Sequence, residues 1–245
     1  MPIIFKIFIL FHVSLYGIGS QFLILPFSSK ELSIGSHPTL FEHDPVNPSL
    51  YHAVEDRPSI SFNQGTWFGD VGLTQAGCNF EKNNVITHFG FKYSGITDLE
   101  FRNDSPSDSP LSYFSSFGLS FDAGKAFIRG NQRYGISISY VHFGIFTYES
   151  RGLGLNFGYS RDFLNKTKVG IVIQNVGKMS ELQTDDILLP QRILLGCSKE
   201  FKFNQIKNSV YISTEKNSLI SSAKIHVGNH LNWTRFNLYS GFSSS

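Results

Sequence analysis

Charge is scarce in this chain. Asp, Glu, Lys and Arg together make 16% of 245 residues, against about 25% in an ordinary soluble domain. A soluble surface so poor in charge would be hard to keep dispersed. Cysteine is limited to Cys78 and Cys197, far apart and without CxxC spacing; two unpaired strand residues are the simple reading, ahead of a disulfide or a metal site. No apolar run is long enough for a helix to cross a bilayer: the best, residues 7–15, is interrupted by His12 and Ser14 and falls short of the roughly 20 residues required. The basic residues are scattered and the net charge is only +2, which excludes a case for nucleic acid as partner. HExxH, GxSxG, a Gly-rich phosphate loop and metal-like His/Cys spacing are all missing, so no catalytic residue, metal ligand or cofactor site is expected, and no enzymatic activity.

What the chain has instead is alternation. Tyr134, Ile136, Ile138 and Tyr140 alternate with Arg133, Gly135, Ser137 and Ser139; Leu153, Leu155, Phe157 and Tyr159 alternate with Gly152, Gly154, Asn156, Gly158 and Ser160; Val169, Ile171 and Ile173 stand against Gly170 and Gln174. Strand side chains alternate faces, so each stretch reads as a strand with one apolar and one small or polar side. Small polar residues suit a crowded or wet interior, and aromatics gather near strand ends. With 24 Phe and 22 Gly, this is the pattern of a membrane-spanning antiparallel β-barrel, apolar outside and polar within. Gly152-Leu153-Gly154 lies in mid-alternation, so packing explains it better than a nucleotide loop. His88, His142 and His226 fall on the polar side, as lumen-lining residues. Asp185-Asp186 reads as a solvated acidic loop rather than a cation site.

In chain order, residues 1–20 carry Lys6, a short apolar run and the small residues Gly17, Gly19 and Ser20, the layout of a secretory signal peptide. Residues 21–57 contain Pro26, Pro38, Pro45 and Pro48 and do not alternate. Proline at that density excludes central strands, so a folded segment with short helical turns is expected, placed in the barrel lumen as a plug or against the periplasmic mouth. Residues 58–245 supply the barrel. Candidate strands lie at 59–67, 70–80, 85–93, 98–102 and 117–123, then the three alternating stretches, then 192–203, 209–215, 222–229 and 233–242, with Asn83-Asn84 as a turn and loops at 103–110 and 179–186. That makes about a dozen, and 12–14 strands for the whole barrel. The Ser-rich stretch 243–245 reads as the start of a loop, so one further hairpin is expected to close the sheet, because lipid tolerates no open edge.

Several short motifs occur in a telling order. Phe22, Leu23, Leu25, Pro26 and Ser28 are followed by Ile34-Gly35-Ser36, Asp44-Pro45 and Asn47-Pro48-Ser49-Leu50; later come Gly154-Leu155-Asn156-Phe157-Gly158, Asn175-Val176-Gly177 and Leu189-Pro190-Gln191-Arg192. This order resembles the PorV/PorQ family of outer-membrane proteins, relatives of the FadL-type barrels and of the type IX secretion machinery. The family opens with F-L-x-L-P-x-S-A-R, then A-L-G-G, D-D-P and N-P-A-x-L. Ser29 and Lys30 stand here where Ala and Arg are usual. The resemblance implies a barrel in the bacterial outer membrane, in contact with its lipid. It implies a role in protein secretion, escorting cargo proteins or meeting other secretion components through extracellular loops at 103–110 and 179–188. Phe22, Leu23, Leu25, Pro26, Gly35, Asp44, Pro45, Asn47 and Pro48 are its N-terminal motif residues. FadL-like uptake of a hydrophobic small molecule is the alternative, and a soluble β-sandwich or lipocalin-like binding domain a third.

Overall fold

Among the described residues eleven strands follow one another, each hydrogen-bonded to its sequence neighbours in a single antiparallel sheet. They are β1 (Ser59–Trp67), β2 (Val71–Lys82), β3 (Val85–Phe101), β4 (Ser112–Arg129), β5 (Gln132–Ile145), β6 (Tyr148–Asp162), β7 (Thr167–Met179), β8 (Arg192–Phe203), β9 (Ile206–Asn217), β10 (Lys224–Trp233) and β11 (Phe236–Ser243). The computed structural model describes residues 19–36, 38–43, 45–54, 57–103, 108–219 and 222–244. The leader reading, apart from Gly19 and Ser20, lies outside the described residues, as do Asp44 and residues 104–107 of the first proposed loop.

The turns account for the strand breaks. Asn83 and Asn84 both have φ near +55° and join Lys82 to Val85, the pattern of a two-residue turn matched to strand twist. Gly130, at φ 60°, opens the two-residue turn between Arg129 and Gln132. The expected count of 12–14 strands is not what is found. The stretch 98–102 is no separate strand: β3 runs through it with a register shift between Ile96 and Leu99, where Asp98 takes φ 58° as an added residue of a bulge. Trp233 ends β10 instead of opening the last strand, because the turn falls at Thr234 and Arg235. Among the described residues β1 pairs only with β2 and β11 only with β10, so the expected closed barrel is here an open sheet.

The sheet is nevertheless curled. Before β1, residues 20–51 form a 3-10 turn (Ser20–Ile24), the short helix α1 (Ser29–Ser33) and a second 3-10 turn (Pro48–Leu50), the folded proline-containing segment that the sequence predicts. Phe27 lies under Lys92 of β3, while Ile34 abuts Gly228 of β10 and Gly241 of β11. A flat sheet would set β3 and β10 about 34 Å apart, seven spacings of about 4.8 Å. The backbone between Phe27 and Ile34, shortened by α1, reaches only about 16 Å. The sheet must therefore bend round the segment, which acts as a plug.

Faces are sorted inside out relative to a soluble sheet. Tyr134, Ile136, Ile138, Leu153, Leu155 and Phe157 are all exposed, while Ser137, Ser139, Asn156, Ser160, Ser213 and His226 are buried against the plug. Plug residues Ile34, Leu40 and Leu50 are almost wholly enclosed. Glycine makes the room: a Cβ on Gly135 would run into the Pro48–Ser49 backbone, and one on Gly158 into Asn47. We expect Gly135→Leu to destabilise the protein by about 1–3 kcal/mol through overpacking and to expose residues 38–51 to protease. Gly65→Ala, whose Cβ would meet nothing within 4 Å, should leave both the unfolding midpoint and the cleavage pattern unchanged.

Candidate functional site

The polar inner face and the plug meet in three linked groups of side chains. The first centres on Asn47, which is fully buried. Its carboxamide oxygen accepts from the Ser49 amide at 3.0 Å and from the Ser49 hydroxyl at 2.8 Å, capping the turn that Pro48 begins. Its Nδ2 donates to the Thr39 carbonyl (3.3 Å) and to Tyr159 of β6 (3.4 Å), and Ser49 donates onward to Ser160 at 3.0 Å. An Asn-Pro pair is well suited to this place, since Pro fixes the turn and Asn satisfies it while reaching the strand behind.

The second group rests on a bulge. Register shifts between Leu155 and Phe157, and Asn175, at φ 59°, is turned inward. Its amide donates to Asn156 at 2.8 Å and its Nδ2 to the Pro190 carbonyl at 2.9 Å. Asn156 in turn donates to Ser137 and Ser139, both at 3.0 Å, and Ser139 bonds Asp122. At the neighbouring end Tyr51 stacks on His88 with centroids 4.0 Å apart, and Arg133 donates to the Tyr51 carbonyl at 2.5 Å. Burial pushes the Tyr51 phenol up, and the charge of Asp122 adds to it.

The third group is charged and enclosed. Arg192 (β8), Glu215 (β9) and His226 (β10) are each at most 3% exposed. Arg192 Nε donates to Gln174 at 2.6 Å, and Gln174 donates to the plug carbonyl of Val46 at 2.6 Å. Arg192 Nη1 lies 3.5 Å from Glu215 and has no hydrogen-bond partner among the described residues. Asn217 donates to Glu215 at 2.9 Å; His226 faces Glu215 at 3.2 Å through Nε2 and the Gly35 carbonyl at 2.9 Å through Nδ1. Gly35, at φ 82°, is packed so close to Phe242 of β11 that its Cβ would sit 2.7 Å from the backbone.

Nearer the rim, Lys168 bonds Glu42 at 2.5 Å. Burial pushes the Glu42 carboxyl up, but the Lys168 ammonium, helped by Arg133 and His52, outweighs this and holds it below the usual carboxylate range. At the opposite end, Ser20 donates to the Leu188 carbonyl at 2.5 Å, and a cavity of about 330 Å³ lies beneath the loop between β7 and β8, lined by Met179, Asp186, Ile187, Leu189, Gln191 and Ser218.

The N-terminal motif residues are thus plug residues. Phe22, Leu23 and Pro26 are buried and Leu25 half-buried, Phe22 filling the space that Gly118 of β4 leaves. Gly35, Asn47 and Pro48 are buried and Pro45 half-buried. His88 and His226 lie on the inner side, but His142 does not: it has the parity of Tyr140, pairs with Leu119 and Arg151 and faces Glu149 at 3.2 Å on the outer side, which corrects the lumen-lining expectation for it. Cys78 and Cys197 are free thiols whose paired residues Ile60, Phe89, Val169 and Ile212 belong to the outer, apolar side. Sequence reasoning missed the Arg192–Glu215 pair. Its signal was parity: Arg192 shares a face with Gly196, and Glu215 with Ser213 and Asn217. No helix among the described residues is long and apolar enough to cross a membrane. Neither family models nor curated proteins give any match to this chain.

Two outcomes are expected. Removing one member of a buried ion pair costs about 3–5 kcal/mol, while replacing both by apolar groups is near neutral; Arg192→Met should therefore lower the denaturant midpoint sharply, and Arg192→Met with Glu215→Leu should recover most of it. For Glu42, whose carboxyl is held low in the folded state, the stabilisation is present above the free value of about 4.3 and is lost as pH falls through the lower folded one. Amide exchange across residues 38–46 should accelerate below about pH 4, and Lys168→Met should abolish that acid-dependent step.

Proposed function

We propose that this chain is a bacterial outer-membrane β-barrel protein of the PorV/PorQ kind, and that it escorts secreted cargo in a type IX-like system. The observation that carries the membrane part is the inverted sheet. An array such as Tyr134, Ile136, Ile138, Leu153 and Phe157 is exposed along neighbouring strands while serines, asparagines and a buried ion pair face the plug. Water would not stabilise an apolar surface of this extent, whereas a bilayer of about 30 Å hydrocarbon matches strands of this length. The order of the N-terminal motifs supports the family, and with it the secretion role.

Escort is favoured over uptake by what fills the interior. Leu40 occupies the space over Gly170, Thr39 that over Gly196 and Asn47 that over Gly158, so the inner side of β6–β8 is taken up by plug. The surface left for a partner is the end bearing the longer connections, β3 to β4 and β7 to β8. The cavity under the second of these suits a partner side chain; it is also the feature that favours the alternative reading, uptake of a small hydrophobic molecule.

Both loops, 103–110 and 179–188, would be replaced by short Gly-Ser connections in the natural host. Surface display of secreted proteins that share a C-terminal sorting domain should fall at least tenfold with the barrel still present in the outer membrane. Unchanged display would sink the escort reading. Copurification of fatty acids with no protein partner, after gentle detergent extraction, would favour uptake.

A further inference from the structure

A hollow opens on the outward, apolar face of β3 to β6. Its volume is about 350 Å³, and Phe89, Phe121, Ala123, Ile138, Tyr140 and Leu153 line it. Register explains the hollow. Ala123 of β4 stands between Phe89 of β3 and Ile138 of β5, so a single methyl group lies where its neighbours carry large side chains. Phe89, Phe121 and Leu153 stand 53–54% exposed around it, and a space of this size falls at the lower end of ligand pockets, about 300–1,000 Å³.

Lys125 lies on the same outward face, two residues further along β4 and so about 7 Å from Ala123. It is exposed, stands between Thr87 and Ile136, and has no ion-pair or hydrogen-bonded side-chain partner among the described residues. A lysine turned towards lipid is costly in hydrocarbon and is accommodated where its ammonium reaches a headgroup layer. β4 heads towards the end where β2, β4, β6, β8 and β10 all finish in turns of two to four residues, the periplasmic end of such barrels. In that direction the next row is Phe127, Tyr134 and Tyr159, the two tyrosine rings 5.3 Å apart, which are aromatics of the boundary kind. Lys125 thus stands between the hollow and the headgroup level.

Its charge belongs to a belt. Among the described residues, the charged side chains that β2 to β8 turn outward near these turns are Lys82, Lys125, Arg129, Arg161 and Lys199, all basic. Glu81, Asp162 and Glu200, at the same end, have the parity of the inner face. Arg161 lies over the Phe163 ring and Lys199 over that of Phe201. Lys125 alone of the five adjoins the hollow.

We propose that this face holds one anionic glycerophospholipid of the periplasmic leaflet, an acyl chain seated over Ala123 and the phosphate on the Lys125 ammonium and Thr87 hydroxyl. The site rests on the membrane reading above. Apolar walls fit the chain, and the cation at the short-turn end fits a headgroup on that side of the bilayer. Lipid A is the wrong occupant, because its phosphates lie at the opposite end, beyond the longer connections. A second copy of this chain would bring a basic belt against a basic belt.

The test uses the full chain extracted from its own outer membrane and examined by native mass spectrometry while phosphatidylglycerol is titrated in. Heat-dependent mobility confirms that each variant is folded. One phosphatidylglycerol per chain should be retained. Lys125→Gln should weaken its retention about fivefold, the worth of one lysine at an anionic surface. Ala123→Phe, which fills the hollow and leaves Lys125 in place, should abolish it. Lys199→Gln, a belt residue away from the hollow, should leave it unchanged. No retained lipid, retention of lipid A or a free fatty acid instead, or equal retention by all the variants would overturn the proposal. Recovery of the chain outside the membrane fraction would remove the membrane reading as well; recovery within it, with no lipid held, removes the site alone.

Discussion

A sheet that turns its apolar side outward must satisfy its polar side from within, and the plug answers that constraint. Hydroxyls and carboxamides on the inner face are buried, so each needs a partner or costs on the order of 1–3 kcal/mol. The Ser213 hydroxyl oxygen accepts from the Thr39 amide at 2.9 Å, and that of Ser160 accepts from the Ser49 hydroxyl at 3.0 Å. The inner glycines follow from the same demand. Where the plug backbone itself is the neighbour, at Gly135 and Gly241, no side chain fits between strand and plug.

The charged group beneath the plug is costly to enclose and is balanced by geometry. Arg192, Glu215 and His226 come from three neighbouring strands and converge because β8, β9 and β10 are in register, Leu194 opposite Glu215 and Ser213 opposite His226. Two plug carbonyls, at Gly35 and Val46, are held through His226 and through Gln174. Strand register and plug position are thus specified by the same residues, and neither can slip without leaving a charge unpaired.

Much of the sheet was legible in the sequence, for a definite reason. The faces of β5, β6 and β7 were assigned from a period of two, which a strand in any setting obeys, and Asn83-Asn84 announced its turn through residues that accept positive φ. Prolines correctly excluded strands from the N-terminal segment. Bulges were not legible: those at Asp98 and Asn175 depend on the neighbouring strand, and the first made one long strand look like two. Asn47 could be singled out by its motif, but its partners Tyr159 and Thr39 lie 112 and 8 residues away and are fixed only by folding. The Arg192–Glu215 pair required the register of two strands, which side-chain parity alone does not supply.

The route of the plug has a kinetic consequence. Its residues touch β4 and β3 first, then β10 and β11, and afterwards return through β8 and β7 to β6 and β5. The segment made first is therefore completed by strands made last, as in the contact from His226 back to Gly35, 191 residues earlier. Loops of that length close slowly, and few local contacts reward the chain before they close. Until β10 and β11 arrive, the Ile34–Gly35 part of the plug and the Glu215 carboxylate lack their last protein partners, so this part of the interior stays wet while the rest is already packed and dries out last.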